Sequence, residues 1–219
     1  MYTTKNLFDL ENTIARKYLE KYEYPWEALP QIKVFILELI EELDKDEFTE
    51  IKENVWVHKS VSIAPSAFIE GPAIICKDCE IRHCAYIRGN AIIGEGCVIG
   101  NSCEVKNAII FNKSQVPHFN YVGDSILGYH AHMGAGSIVS NLKSDGKNIT
   151  VKDGDEKMET GLRKFGAIVG DNVEIGCNSV LNPGTVIGKN SNVYPLARVR
   201  GLVPENSIYK DEDNVVGKV

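Results

Sequence analysis

The sequence lacks three features, and each absence argues against a class of protein. No apolar run approaches the ~18 residues that a membrane-spanning helix requires. Positive charge is in deficit: the net charge of −6 at pH 7 argues against general binding to nucleic acid or anionic membrane surfaces. The first residues, MYTTKNLFDLEN, do not follow the basic-then-apolar pattern of a signal peptide. We therefore expect a cytoplasmic protein with neither nucleic acid nor membrane as a partner.

The sequence also lacks a second CxxC motif. Cys76 and Cys79 form one such motif, which can indicate metal binding or redox chemistry. A structural zinc site needs four ligands, and no second pair supplies the other two. Cys79, Cys97 and Cys103 instead occupy a position of a repeat at which alanine also occurs. We therefore expect the cysteines to be packing residues and the protein to hold no metal.

A six-residue repeat dominates the rest of the chain. The phase shifts twice, and the repeat resumes after an insertion, which gives 21 hexads in all. Neither an α-helix nor a simple strand produces this period, whereas short strands separated by corners do. An apolar residue opens each hexad, at Val57, Ile63, Ile69, Ile75, Ile81, Ile87, Ile93, Ile99 and Val105, then Ile110, Val116 and Val122, then Leu127, Met133 and Val139, then Val169, Ile175, Leu181, Ile187, Val193 and Val199.

The period predicts an all-β core in the form of a parallel β-helix. The aliphatic residue of each hexad would point into a narrow core, and the small residue four positions later would fit a tight corner. With three hexads to a coil, the chain makes about 7 coils and rises roughly 33 Å. We expect this domain to span residues 51–208, with a polar tail at 209–219 and the repeat ending at Val203.

Residues 1–50 do not repeat, and we predict a short helical cap. Asp9 suits the N-cap of a helix that runs to about Tyr22, and Pro30 suits the first turn of a second helix. We expect this cap to pack on the open end of the first coil, because solenoids need their ends covered. A partner-binding helical hairpin is the alternative. The second helix carries an apolar side made of Ile32, Phe35, Ile36, Leu39, Ile40 and Leu43.

The insertion at residues 142–168 is polar and charged. Ile149–Val151 followed by Asp153-Gly154 is typical of a small hairpin. An ordered excursion of this length is usually functional, and a tolerated surface loop is the alternative.

Several motifs between Ile81 and Ile208 resemble the acetyltransferase domain of bifunctional N-acetylglucosamine-1-phosphate uridyltransferases. The archaeal sugar-1-phosphate nucleotidylyltransferases that carry an amino-sugar-phosphate acetyltransferase domain are more similar still. The resemblance implies a left-handed parallel β-helix, acetyl-CoA as co-substrate and a homotrimer. The motifs are Arg88-Gly89, Glu104-Val105-Lys106, HFNYVGD at 118–124, Gly134-Ala135-Gly136, Asn141, TGLRK at 160–164 and GAIVGDN at 166–172.

The resemblance also implies residue roles. His118 matches the general base, and histidine titrates in the range that accepting a proton from an attacking amine requires. The residues that match substrate ligands are Arg88, Lys106, Tyr121, His132, Asn141 and Lys147, of which Arg88, Lys106 and Tyr121 would hold the phosphate. The residues that match contacts of acetyl-CoA are Gly134, Ala135, Cys177 and Arg200.

These matches predict acetyl transfer to an amino-sugar 1-phosphate. His132 stands where the bacterial enzymes have asparagine, so glucosamine-1-phosphate is favoured and galactosamine-1-phosphate stays open. About 50 residues replace the glycine-rich nucleotidyltransferase domain, so we expect no uridylyl transfer. Three alternatives remain: an acyltransferase for a nucleotide-linked amino sugar, a catalytically silent assembly module, and a zinc carbonic anhydrase built on His118, His130 and His132.

Overall fold

The inward-pointing aliphatic residues form one buried column, and the chain winds around it as a parallel β-helix. The computed structural model describes residues 2–154 and 156–218. Of the predicted core positions, Ile63 is half-buried and the others are buried. Cys79, Cys97 and Cys103 lie in the same column as free thiols, as predicted for packing residues. The hexad pattern therefore identified the core.

Helices are confined to the N-terminal part of the described residues. The α-helices are α1 (Thr4–Leu7), α2 (Arg16–Leu19) and α3 (Ile32–Glu42), and 3-10 helices lie at Leu10–Asn12 and Pro25–Gln31. None of these is long and apolar enough to span a membrane.

The strands are β1 (Phe48–Lys52), β2 (Val55–His58), β3 (Ser62–Ile63), β4 (Phe68–Ile69), β5 (Ala73–Ile75), β6 (Glu80–Ile81), β7 (Tyr86–Ile87), β8 (Ala91–Ile93), β9 (Val98–Asn101), β10 (Glu104–Ile110), β11 (Gln115–His118), β12 (Tyr121–Leu127), β13 (His132–Met133), β14 (Ile138–Val139), β15 (Thr150–Asp153), β16 (Glu156–Glu159), β17 (Ala167–Val169), β18 (Glu174–Ile175), β19 (Val180–Leu181), β20 (Thr185–Ile187), β21 (Asn192–Val193), β22 (Arg198–Val199), β23 (Leu202–Val203), β24 (Ser207–Asp211) and β25 (Asn214–Gly217).

Parallel pairing stacks these strands into the three faces of a prism. The first face contains β2, β5, β8, the second halves of β10 and β12, β17, β20 and β23. The second face contains β3, β6, β9, β11, β13, β18, β21 and β24. The third face contains β4, β7, the first halves of β10 and β12, β14, β19 and β22. The prism therefore has slightly more coils than the seven predicted.

The two phase shifts of the repeat correspond to the two long strands. β10 and β12 each run from the third face onto the first without a break. Asn107 (φ 45°) and Asp124 (φ 49°) make the corner with positive backbone φ, a conformation that Asn and Asp tolerate better than most residues. One residue fewer separates the inward positions at these corners, which shifts the phase.

The N-terminal segment covers the first face and not the end of the first coil, so the predicted position of the cap is wrong. α3 contacts β5, β8 and β10, and the 3-10 helix before it contacts β12. The apolar side predicted for the second helix is buried there. Outward-facing aliphatic residues of the first face lie in the same buried cluster as this helix: Ile74, Ile92, Ile109, Ile126, Ile168 and Val186.

The predicted helix from Asp9 to Tyr22 is also wrong, because contacts with the prism interrupt it. Asp9 caps only the 3-10 helix, where its carboxylate accepts from the backbone of Glu11. The Asp9 backbone N–H donates to Asp171 at 2.6 Å, and the Asn12 carbonyl accepts from the backbone of Asn112 at 3.0 Å. These two bonds hold the chain against the prism and replace helical bonding.

An antiparallel strand closes each end of the prism. β1 pairs with β2 at one end, and β25 pairs with β24 at the other. The repeat continues beyond Val199, because Val203 and Tyr209 are both buried in the core. The prediction that it ends at Val203 is therefore wrong. The spacing from Val199 to Val203 is only four residues, and an aromatic residue fills the last position.

The insertion forms the predicted hairpin. β15 and β16 pair antiparallel, and β15 contacts β20 and β23 of the first face. Ile149, Val151 and Phe165 are buried in the same cluster as the N-terminal helices. The hairpin is therefore packed on the prism and not a free loop.

Candidate functional site

Three of the predicted phosphate ligands lie on neighbouring coils of the third face. Tyr86 of β7 and Tyr121 of β12 both pair with Glu104 of β10, so the three strands are adjacent. Arg88 directly follows β7, and Lys106 lies two residues after Glu104. Because each coil stacks directly on the next, the sequence spacing of 18 residues between the two cations becomes one step across the sheet.

Carboxylates neutralise both cations. A guanidinium nitrogen of Arg88 donates to Glu104 at 2.7 Å, and both side chains are partly exposed. The ammonium of Lys106 lies 3.8 Å from Asp124, whose side chain is buried. Glu104 and Asp124 were not among the predicted site residues, although both lie within the motifs quoted above. An acidic residue two or three positions from a candidate phosphate ligand was the available signal.

Asp124 is the centre of a polar network at the corner between the third and first faces. Its carboxylate accepts from the Asn107 amide at 2.9 Å and from the Asn141 amide. Asn141 also donates to the Tyr121 hydroxyl at 3.1 Å. Burial, followed by the charge of Asp124, raises the pKa of Tyr121, so the hydroxyl stays protonated and can donate to an anion. This network holds Lys106, Tyr121 and Asn141 in one place.

His118 lies at the corner between the second and third faces. It is the last residue of β11, its side chain is exposed, and Tyr121 begins the next strand. Its backbone N–H donates to the Asn120 side chain at 3.0 Å. Asn120 is buried and donates in turn to the Gly134 carbonyl at 2.8 Å. The backbone at His118 is therefore fixed while its imidazole remains accessible.

Ala135 and Cys177 continue the corner at which His118 lies. The His118 carbonyl accepts from the backbone of Gly136, and the Ala135 carbonyl accepts from Asn178, each at 2.9 Å. A side chain at Gly134 would place a Cβ 2.5 Å from the Ile175 carbonyl oxygen, so only glycine fits there. The predicted acetyl-CoA contacts Gly134, Ala135 and Cys177 therefore form one edge with His118.

His132 does not join the other predicted substrate ligands within one chain. It lies on the second face, where its imidazole is 2.8 Å from the Glu174 carboxylate. Lys113 and Gln115 line the same small depression, whose volume is about 260 Å³. The strip of Arg88 and Lys106 lies on the third face.

Lys147 and Arg200 line a different cleft, between the insertion and the prism. Its volume is about 880 Å³. Ser140 and Leu142 line it too, so the cleft begins beside Asn141. The predicted ligands are thus distributed over a cationic strip, the edge at His118, this cleft and the separate His132.

The described residues contain no group of three or more His, Cys, Asp or Glu side chains suited to hold a metal ion. His118, His130 and His132 therefore do not converge within one chain, as the carbonic anhydrase alternative would need.

Two families match parts of the chain. The GMPPB C-terminal domain matches residues 69–155, and the bacterial transferase hexapeptide family (six repeats) matches residues 166–201. Both matched ranges lie within the β-helix and its insertion.

Known proteins match most of the chain. The bifunctional protein GlmU of Methanococcus maripaludis is 34% identical over 212 residues, which are 95% of this chain and 51% of the relative. The bifunctional sugar-1-phosphate nucleotidylyltransferase/acetyltransferase of Sulfurisphaera tokodaii is 37% identical over 111 residues, 51% of this chain and 28% of that protein. The chain therefore spans about half the length, or less, of the curated relatives that it matches.

Among solved structures, the polysialic acid O-acetyltransferase OatWY covers 75% of this chain and 85% of its own, with 14% identity and a TM-score of 0.44. So distant a similarity says nothing about the substrate of this chain. The sequence relatives do confirm the resemblance that the motifs predicted. The chain carries a match to hexapeptide repeats at residues 166–201 and is similar, over nearly its whole length, to about half of a bifunctional GlmU protein.

Proposed function

We propose that this chain transfers the acetyl group of acetyl-CoA to the amine of an amino-sugar 1-phosphate, with glucosamine-1-phosphate as the acceptor. The observation that supports this most is the cationic strip beside His118. Arg88, Lys106 and the protonated hydroxyl of Tyr121 are donors of the kinds that bind phosphate. The name of the Sulfurisphaera relative includes an acetyltransferase activity, which agrees with this proposal.

The chemistry requires a base next to a bound amine. The amine nitrogen attacks the thioester carbonyl, and a C–N bond forms. We assign to His118 the acceptance of the proton that the amine loses. The tetrahedral intermediate then collapses, the C–S bond breaks, and the CoA sulfur leaves as a thiolate that takes up a proton. The exposed imidazole on a fixed backbone suits this role because it is accessible from the edge where we place the thioester.

We also propose a homotrimer in which neighbouring subunits complete each site. The separation of His132 from the cationic strip supports this, because two faces of one prism cannot enclose a substrate between them. A second copy can bring its own second face, with His132 and Glu174, opposite the third face of the first. Light scattering is expected to give three times the 24.3 kDa of one chain. A monomer at working concentration would contradict the shared site.

A second candidate acceptor is a nucleotide-linked amino sugar. The observation that favours it is the 880 Å³ cleft beside Asn141, which is larger than a sugar phosphate needs and is lined by Lys147 and Arg200.

A panel of acceptors tests the proposal. The purified protein and acetyl-CoA are incubated with glucosamine-1-phosphate, galactosamine-1-phosphate, glucosamine and UDP-glucosamine, and released CoA thiol is measured. We expect the fastest release with glucosamine-1-phosphate and slow release with glucosamine. Release with UDP-glucosamine alone would select the second candidate. Absence of release with all four would favour the silent assembly module.

A further inference from the structure

The insertion hairpin brings like charges directly opposite each other. In the pairing of β15 with β16, Lys152 lies opposite Lys157 and Asp153 lies opposite Glu156. Like charges in directly opposed positions destabilise a strand pair. Neither lysine has an ion-pair partner among residues 2–154 and 156–218. No ion pair among the described residues offsets this cost, which points to a ligand that supplies negative charge.

Both lysines face the cleft. Strand alternation places Lys152 and Lys157 on one side of the hairpin, and both line the cleft with Arg200, which also lacks an ion pair in the described part of the chain. Lys143 and Lys147 line it as well, against two carboxylates, Asp145 and Glu159.

The net charge of the side chains that line the cleft is therefore positive, although the net charge of the whole chain is −6. A concave surface of one sign concentrates ligands of the opposite sign.

The hairpin holds these charges at a fixed place. Ile149 and Val151 are buried, which anchors the first strand to the prism. At Gly201 (φ 78°) an added Cβ would lie 2.8 Å from the Lys152 carbonyl oxygen, so the backbones touch at this point. Arg200 is the neighbouring residue. The guanidinium and the lysine pair are thus brought to one wall by a backbone contact that only glycine permits.

We infer that Lys152, Lys157 and Arg200 bind the diphosphate-bearing nucleotide part of a substrate. The volume of about 880 Å³ is in the range of pockets that hold cofactor-sized molecules, and three cations exceed what one monophosphate needs. Two sources share this chemistry: the phosphorylated adenosine diphosphate of CoA, and the nucleoside diphosphate of an activated amino sugar. The inference deepens the proposed function and rests on it for this choice of sources.

Binding measurements test the inference without requiring catalysis. Calorimetric titration of the full chain is carried out with CoA, adenosine 3′,5′-bisphosphate, UDP and UDP-glucosamine. Binding of the first two identifies the donor as the source, and binding of the last two identifies the acceptor. The Lys152→Gln/Lys157→Gln variant is expected to bind the preferred probe about 10- to 100-fold more weakly, because two charge-assisted contacts are lost. Binding should also weaken as salt is raised.

A matched control removes the same charge elsewhere. Lys5→Gln/Lys33→Gln takes two exposed lysines from the N-terminal helices and should leave affinity within about twofold. The melting temperature of the Lys152→Gln/Lys157→Gln variant (the cleft variant) should be no lower than that of the parent protein, because the substitutions remove the repulsion between the opposed lysines. A structural role for the lysines would instead lower the melting temperature.

Three outcomes overturn the inference. They are the absence of binding of all four probes at millimolar concentration, an equal loss of affinity in the control variant, and unchanged affinity in the cleft variant. Acetyl transfer without nucleotide binding in the cleft would remove this inference and leave the proposed function standing. Nucleotide binding without acetyl transfer to any acceptor would do the reverse.

Discussion

The ammonium nitrogen of Lys106 lies 3.8 Å from a carboxylate oxygen of Asp124, and the two side chains are 21% and 7% exposed. The carboxylate also accepts from the side-chain amides of Asn107 and Asn141. Lys106 can therefore turn part of its charge toward a bound anion without leaving Asp124 unpaired. Substitution of Lys106 is therefore expected to leave the hydrogen bonds of Asp124 in place.

Lys106→Ala should weaken binding of the sugar phosphate and spare the donor. The ammonium acts on the phosphate in ground and transition states alike, so the KM for glucosamine-1-phosphate should rise by about tenfold or more. The KM for acetyl-CoA should stay within twofold, and the preference for phosphorylated over unphosphorylated glucosamine should narrow. Lys77→Ala, at an exposed ion pair with Glu95, is the control. An unchanged phosphate preference in Lys106→Ala would mean that the acceptor phosphate lies elsewhere.

His118→Ala should lower the maximal rate and leave substrate affinity largely intact. A missing general base costs about 10²- to 10⁴-fold in rate, and the imidazole acts mainly in the transition state. The chain offers a control in His83, an exposed histidine at the same corner two coils earlier, whose carbonyl accepts from Asn101. His83→Ala should turn over at the parental rate. A near-normal rate for His118→Ala would mean that another group accepts the proton that the amine loses.

Asp171→Asn should destabilise the attachment of the N-terminal segment. The two carboxylate oxygens of Asp171 accept separately from the backbones of Asp9 at 2.6 Å and Tyr129 at 2.8 Å, and Lys189 lies 3.3 Å away. Asparagine supplies only one acceptor oxygen, so one buried N–H loses its partner at a cost of about 1–3 kcal/mol. Hydrogen exchange should speed up most in residues 4–12. Hydrogen exchange at the parental rate in residues 4–12 would show that the hydrogen bonds to Asp171 are not needed to attach the segment.

Ile126→Ala tests the packing of the helices on the first face. Ile126 is fully buried in the cluster that the N-terminal segment covers. Truncation leaves a cavity and should lower the free energy of unfolding by about 2–5 kcal/mol. Ile51→Ala is a matched control at a side chain that is 52% exposed, and it should change stability by less than about 0.5 kcal/mol. Thermal unfolding of the two variants measures the difference.

The sequence predicted the core of the prism because one inward position per hexad carries a strong and regular signal. It even predicted the phase shifts, which are the corners at Asn107 and Asp124. The hexad pattern did not predict the position of the N-terminal helices, because it contains only the one inward-pointing aliphatic residue of each hexad. Adjacent pairs such as Ile74-Ile75 and Ile92-Ile93 recur on the first face, one member inward and one outward. An aliphatic residue that points outward at each coil indicates that other residues of the chain cover this face.

The site was harder to predict than the fold. Stacking of the coils explains why Arg88 and Lys106 come together, since residues one coil apart are neighbours. The partners Glu104 and Asp124 were not predicted because a carboxylate does not bind an anion itself; these two position the cations that do. The placement of His132 on another face could be read only once each strand had been assigned to a face.

The two antiparallel strands at the ends of the prism also limit the length of the stack of coils. A stack of parallel coils has no intrinsic length, because every new coil repeats the hydrogen-bonding edge of the last. β1 and β25 reverse the strand direction on one face at each end, so a second molecule cannot continue the parallel ladder there in register. These nine residues thus act as terminators against end-to-end polymerisation, a hazard inherent in any protein built from open sheet edges.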